Sequence, residues 1–151
     1  MSTAAEKVAG EPASGVVRDG AHYLTLRVYY EDTDFSGIVY HANYLRFLER
    51  GRTESLRAVG ANQSALLAAG GLFFAVRRMT IDWKLPAMMD DVLVVETRTR
   101  EMRGASMIID QRILRDGVEI LTAEVRVAAI VGGRPARIPD GIRALLGGEP
   151  A

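Results

Sequence analysis

Cysteine is absent from the 151 residues of this chain. That excludes a disulfide framework, a thiol nucleophile and a cysteine-based metal site. Excess charge is absent as well: 19 Lys+Arg balance 19 Asp+Glu. Non-specific nucleic-acid binding needs a positive balance, so that class drops out. No apolar run approaches the roughly 20 residues that span a bilayer, and the first residues lack the apolar centre of a signal peptide. A cytoplasmic protein fits these absences. The length fits one domain that can bury a core without staples. Residues 1–20 are rich in Ala, Gly, Ser and charge without periodicity, which predicts a flexible tail. The domain is expected over 21–146, with Gly147 to Ala151 frayed.

What is present reads as strand, helix, then strands. His22 to Tyr30 alternates apolar and polar residues and predicts a half-buried strand, with His22 itself on the surface before it. From Tyr40 the period becomes helical through Tyr44, Phe47, Leu48, Gly51, Ser55 and Ala58 or Val59, with Arg46, Glu49, Arg50, Arg52, Glu54 and Arg57 on other faces. Gly60 is the expected stop. Gly51, in mid-helix, costs about 1 kcal/mol against Ala. It marks either a close approach to a sheet or a tolerated defect. Asn62 to Gly70 predicts a short second helix. Leu72 to Lys84 reads as a strand, and Pro86 with Asp90-Asp91 as a turn. Three long antiparallel strands are expected between Val92 and Val131, joined at Arg103-Gly104 and Asp116-Gly117. A strand, one long helix and a meander make an α+β layout with the helix wrapped by the sheet.

The chemistry concentrates between Val28 and Tyr44, where an apolar strand enters an acidic turn and then a helix. That layout aims a carboxylate at a helix start, where backbone N–H groups can polarise a carbonyl. Asp32, Thr33 and Asp34 are also good turn formers that bond nearby amides, so a capping role stands beside a catalytic one. Asp32-x-Asp34-x-Ser36-Gly37 matches the opening of a calcium loop, but the twelfth position is Asn43 rather than Glu and a strand precedes it. Calcium is therefore not expected.

The segment Tyr30-x-Asp32-Thr33-Asp34-x-x-Gly37-x-Val39-Tyr40-His41-x-Asn43-Tyr44 resembles the signature of hotdog-fold acyl-CoA thioesterases, in the 4-hydroxybenzoyl-CoA thioesterase family. It is most similar to the branch associated with the Tol-Pal system of Gram-negative bacteria. The likeness extends from about Tyr23 to Ile138, including Tyr44-Leu45-Arg46-Phe47-Leu48-Glu49-Arg50 and the turn from Pro86 to Val94.

The resemblance implies a hotdog fold: an antiparallel sheet around one long central helix. It implies hydrolysis of an acyl-CoA thioester by Asp34, as nucleophile or general base, with the His41 amide polarising the carbonyl and the His41 side chain assisting. Gly37, Tyr40, Asn43 and Tyr44 are the expected substrate-binding positions around the turn. Lys84, Arg134 and Arg137 are candidates for the CoA phosphates. Tyr44, Phe47, Phe73, Phe74 and Met79 either line an acyl pocket or form ordinary core. No metal or cofactor is implied. The partners expected are acyl-CoA, a second copy in a homodimer or homotetramer with sites at the subunit boundary, and an acyl carrier protein. Two other readings use the same scaffold: a non-catalytic acyl-CoA or carrier-protein binding module, and an interaction protein of the cell envelope. A hotdog dehydratase lacks its His-plus-acid arrangement here.

Overall fold

The computed structural model describes residues 1, 3–8 and 10–147. The chain runs α1 (Ala4–Val8), β1 (Val16–Arg18), β2 (Ala21–Arg27), α2 (Tyr44–Ala58), α3 (Gln63–Gly70), β3 (Phe73–Trp83), β4 (Val92–Met102), β5 (Ser106–Arg115), β6 (Val118–Val131), β7 (Arg134–Pro135) and α4 (Asp140–Leu145). Single 3-10 turns occupy Tyr30–Asp32 and His41–Asn43. The strands form one sheet in the order β1-β2-β4-β5-β6-β3, with β7 on β6, and every pairing is antiparallel.

The α+β hotdog layout is therefore observed, and the meander follows the expected spans. At the β5–β6 turn Asp116 and Gly117 both take positive φ, the backbone of a tight I′ hairpin. Asn62 caps α3 by accepting the Ala65 N–H at 3.0 Å.

Helix α2 lies against the sheet because one stripe of it is apolar. Tyr44, Phe47, Leu48 and Leu56 are buried, the first three in a core shared with Leu93, Val95, Ile113, Leu121 and Val125. Gly51 is the point of closest approach. A Cβ there would stand 2.6 Å from Val95 Cγ1, 3.0 Å from Thr97 Oγ1 and 3.1 Å from Gln111 Nε2. The close-approach reading holds and the defect reading does not. Beside it, Gln111 Nε2 donates to the Leu48 carbonyl and to Thr97 Oγ1, both at 2.9 Å. Arg52 Nη1 donates to Gln111 Oε1 at 3.0 Å and Arg52 pairs with Glu49. Arg52, expected on an outer face, is buried because those partners satisfy its guanidinium.

Three further expectations change. Strand β2 ends at Arg27, and Tyr30 stands exposed in the following turn. The sheet also begins earlier than residue 21, because Val16–Arg18 pair with Ala21–Tyr23. The expected tail thus contributes an edge strand. That extension corrects the surface assignment of His22: it sits within β2, only 3% exposed, and its Nε2 lies 2.6 Å from the Ser14 carbonyl. The fray expected at the C-terminus falls, beyond Gly147, outside the described residues.

Candidate functional site

The acidic turn is built by its own side chains. Val28 N–H bonds the Asp91 carbonyl at 2.9 Å, and the Asp90 N–H returns to the Val28 carbonyl at 3.0 Å. Asp32 then folds inward and is 7% exposed. Its Oδ2 accepts the Tyr29 N–H at 2.7 Å and its Oδ1 accepts Asn43 Nδ2 at 2.8 Å. This brace ties the turn to the start of α2. Asn43 is buried and its amide is committed to Asp32. Asn43, one of the expected substrate-binding positions, thus spends a side-chain N–H on bracing the turn. Thr33 Oγ1 likewise bonds back to the Tyr30 carbonyl at 2.7 Å.

Asp34 points the other way. Its carboxylate is exposed, and Oδ1 accepts the Ser36 N–H at 2.8 Å and the Ser36 hydroxyl. Its backbone N–H donates to the Ile38 carbonyl at 2.9 Å and its carbonyl accepts the Gly37 N–H at 3.0 Å. The Ser36 hydroxyl, then the Ser36 amide, hold the Asp34 carboxyl below the usual carboxylate range, and the nearby His41 adds a smaller pull in the same direction. Gly37 has φ +85° with open space where a Cβ would stand. Its requirement is the left-handed backbone rather than a close neighbour.

A cavity of about 390 Å³ opens beside Asp34, lined also by His41, Tyr44, Trp83, Lys84 and Pro86. It lies where the 3-10 turn His41–Asn43 leads into α2. His41 is the first residue of that turn, and the first amides of a helical turn have no partner within it. Helix α2 proper therefore starts four residues after Tyr40, the predicted start. The His41 ring is exposed and edges onto Tyr40 at 4.6 Å and Trp83 at 6.2 Å between centroids. The Trp83 indole N–H donates to the His41 carbonyl at 3.0 Å. Tyr44 is 3% exposed, and its hydroxyl accepts the Ala87 N–H at 3.0 Å. Burial pushes the Tyr44 phenol up.

Of the candidate residues, Asp34, His41, Tyr44 and Lys84 meet at this cavity. Gly37 and Tyr40 flank it in sequence without lining it. Lys84 is engaged with Glu119. Arg134 and Arg137 do not join them within one chain. Trp83 pairs with Leu121 on β6, whereas Arg134 pairs with Val131. Those positions lie ten residues apart on β6, about 30 Å along the strand. Arg137 bonds Asp140 at 3.1 Å. Among the five aromatic or Met candidates for an acyl pocket, only Tyr44 reaches the cavity. Phe47 is fully buried in the core, Phe73 is exposed at the far end of β3, Phe74 lines a separate cleft under α2, and Met79 packs on the core.

Ser36 and Trp83 were missed. For Ser36 the signal was its place two residues after an Asp, an Asx-turn spacing. For Trp83 it was only that the chain has a single tryptophan.

Residues 28–146 match the family model described as the thioesterase-like superfamily. An acyl-CoA thioesterase YbgC of Haemophilus influenzae is 41% identical over 128 residues, 83% of this chain and 94% of that protein. An acyl-CoA thioester hydrolase YbgC of Escherichia coli is 43% identical over 120 residues, 78% of this chain and 89% of that one. Among solved structures, a probable thioesterase from Bartonella henselae has a TM-score of 0.75 at 47% identity, covering 79% of this chain and 99% of its own.

Proposed function

The chain belongs to the thioesterase-like superfamily, and from that premise we propose that it is an acyl-CoA thioesterase whose working carboxylate is Asp34. The observation that carries the assignment is the juxtaposition of the Asp34 carboxylate, the cavity and the first amide of the His41–Asn43 turn. Relatives named for this activity, at 41% and 43% identity, support the substrate class. A substrate carried on CoA sets the work in the cytoplasm. The link to the Tol-Pal system and to an acyl carrier protein is carried into this reading from the sequence resemblance.

The thioester enters with its carbonyl oxygen toward the His41 N–H, where the turn amide and the helix dipole stabilise developing negative charge. Ionised Asp34 then acts by one of two routes. As a nucleophile it adds to the carbonyl carbon, the C–S bond breaks, CoA leaves as thiolate and takes a proton from solvent, and water cleaves the mixed anhydride. As a general base it takes a proton from a water that adds to the same carbon, and CoA leaves directly. Both routes need the anion, which the Ser36 bonds favour. The His41 ring is near enough to orient the attacking oxygen or to hold a proton.

A second copy completes the site in this reading. Strand β3 is an edge of the sheet, 11 residues long, with Phe73, Val76 and Trp83 exposed. Such an edge invites another strand. Antiparallel pairing of two β3 strands puts the Phe73 end of one beside the Trp83 end of the other. Arg134 and Arg137 of the second copy then come to the Asp34 end of the first, where CoA phosphates need cations.

The test is CoA release from esters ranging from short aliphatic to benzoyl and long-chain, assayed on the wild type and on Asp34→Asn. With no cysteine in the chain, a thiol reagent reads CoA alone. The variant is expected to lose at least about 100-fold in kcat while still binding ligand. Saturable binding with no turnover in the wild type favours a binding module instead.

A further inference from the structure

Trp83 closes β3 and pairs with Leu121 on β6, so it is anchored in the sheet. Its ring is about half exposed and walls the Asp34 cavity. Its indole N–H reaches 42 positions back along the chain and donates to the His41 carbonyl at 3.0 Å. The His41–Asn43 turn is otherwise tied to the rest of the fold mainly at its ends. The Tyr40 N–H bonds the Asp32 carbonyl at 2.9 Å, and Asn43 Nδ2 bonds the Asp32 carboxylate. His41 and Ala42 between them are exposed. An exposed turn held only at its ends can rock, whereas an amide stabilising an oxyanion must sit within a few tenths of an ångström of its place.

Resting on the thioesterase reading, we propose that Trp83 is a positioning residue: its indole N–H, by gripping the His41 carbonyl, fixes the turn whose first amide receives the thioester oxygen. The grip lies one Cα from the working N–H and clamps the backbone on the far side of His41. It transmits the stiffness of the β3–β6 ladder to the turn. It also polarises the peptide that follows His41, which makes the Ala42 N–H a stronger donor toward the same region. The aromatic wall and the hydrogen bond are separable properties, and the proposal concerns the bond.

Because Trp83 is the sole tryptophan, biosynthetic replacement of tryptophan by benzothienylalanine changes one atom group of the protein, sulfur for N–H, and nothing else. Trp83→Phe is the genetic counterpart. Three measurements are made on each folded protein: kcat and KM for the best acyl-CoA, amide hydrogen exchange at positions 41–43, and, for the wild type, quenching of the single indole by a non-hydrolysable acyl-CoA thioether. The expected result is kcat lower by about five- to tenfold, KM within about twofold, and faster exchange in the turn in both variants. Unchanged kcat, or KM and kcat changing together with exchange unaltered, makes Trp83 only a wall and overturns the proposal. A wild type that quenches saturably but never hydrolyses overturns the thioesterase reading instead, and the proposal with it.

Discussion

Two neighbouring carboxylates, Asp32 and Asp34, have opposite fates because of what each touches. Asp32 is buried and bonded to Tyr29 and Asn43, whereas Asp34 faces a cavity and takes its hydrogen bonds from its own loop, Ser36 foremost. The Ser36 hydroxyl is the larger influence on Asp34 and lowers its proton affinity, since the bond favours the charged form. The sign of the consequence follows. In the proposed reading Asp34 acts as the anion, so activity is expected to fall as pH drops through its pKa, with an acid limb below the ordinary carboxylate range. Ser36→Ala removes the hydroxyl bond and leaves the amide one. The limb in a kcat/KM profile is expected to move to higher pH, with the plateau at neutral pH reduced less than in Asp34→Asn. A limb that stays in place would show that another group governs it.

At the scale of elements, the approach of α2 to the sheet sets where the His41–Asn43 turn that leads into it sits. Gly51 and the Gln111 clasp to the Leu48 carbonyl hold the helix at its middle. Gly51→Ala tests this by sign. A tolerated defect gains about 1 kcal/mol from Ala in a helix. A close contact instead loses about 1–3 kcal/mol to overpacking. With Val95 Cγ1 at 2.6 Å from the new Cβ, the expected outcome is a loss, read as a Tm lower by about 2–4 °C per kcal/mol in thermal unfolding. A Tm that rises would refute the close-contact account. The resemblance and the helical period located α2 and its buried stripe, while the 3-10 entry at His41–Asn43 was invisible to periodicity. One irregular turn is too short to carry a period.

For the molecule as a whole, the open question of chemistry is where the cations are. Arg134 and Arg137 stand about 30 Å along β6 from the cavity end, so in the proposed reading the site is shared between two copies through the β3 edge. Val76→Lys places a charge on that edge, at a position already exposed in the single chain, where charge discourages strand addition. The expected outcome is a folded monomer by light scattering with normal circular dichroism and a raised KM for acyl-CoA. A monomeric wild type, or a variant that stays dimeric with unchanged KM, would oppose the shared site.

The order of residues alone indicated the hotdog layout, the hairpins and the first half of the buried helix stripe, from Tyr44 to Gly51. These are local matters: alternation, helical period and turn formers act over a few neighbours, and a signature of fixed spacing survives in one stretch of chain. Only the tertiary structure showed how Asp32 is tied to Asn43, joined Trp83 to His41 and Gln111 to Leu48, buried His22 beside β1, and parted Arg134 from Lys84. Each of those outcomes depends on which distant segments meet. A contact across 42 or 63 positions is set by strand register and helix approach, and no window of sequence records either.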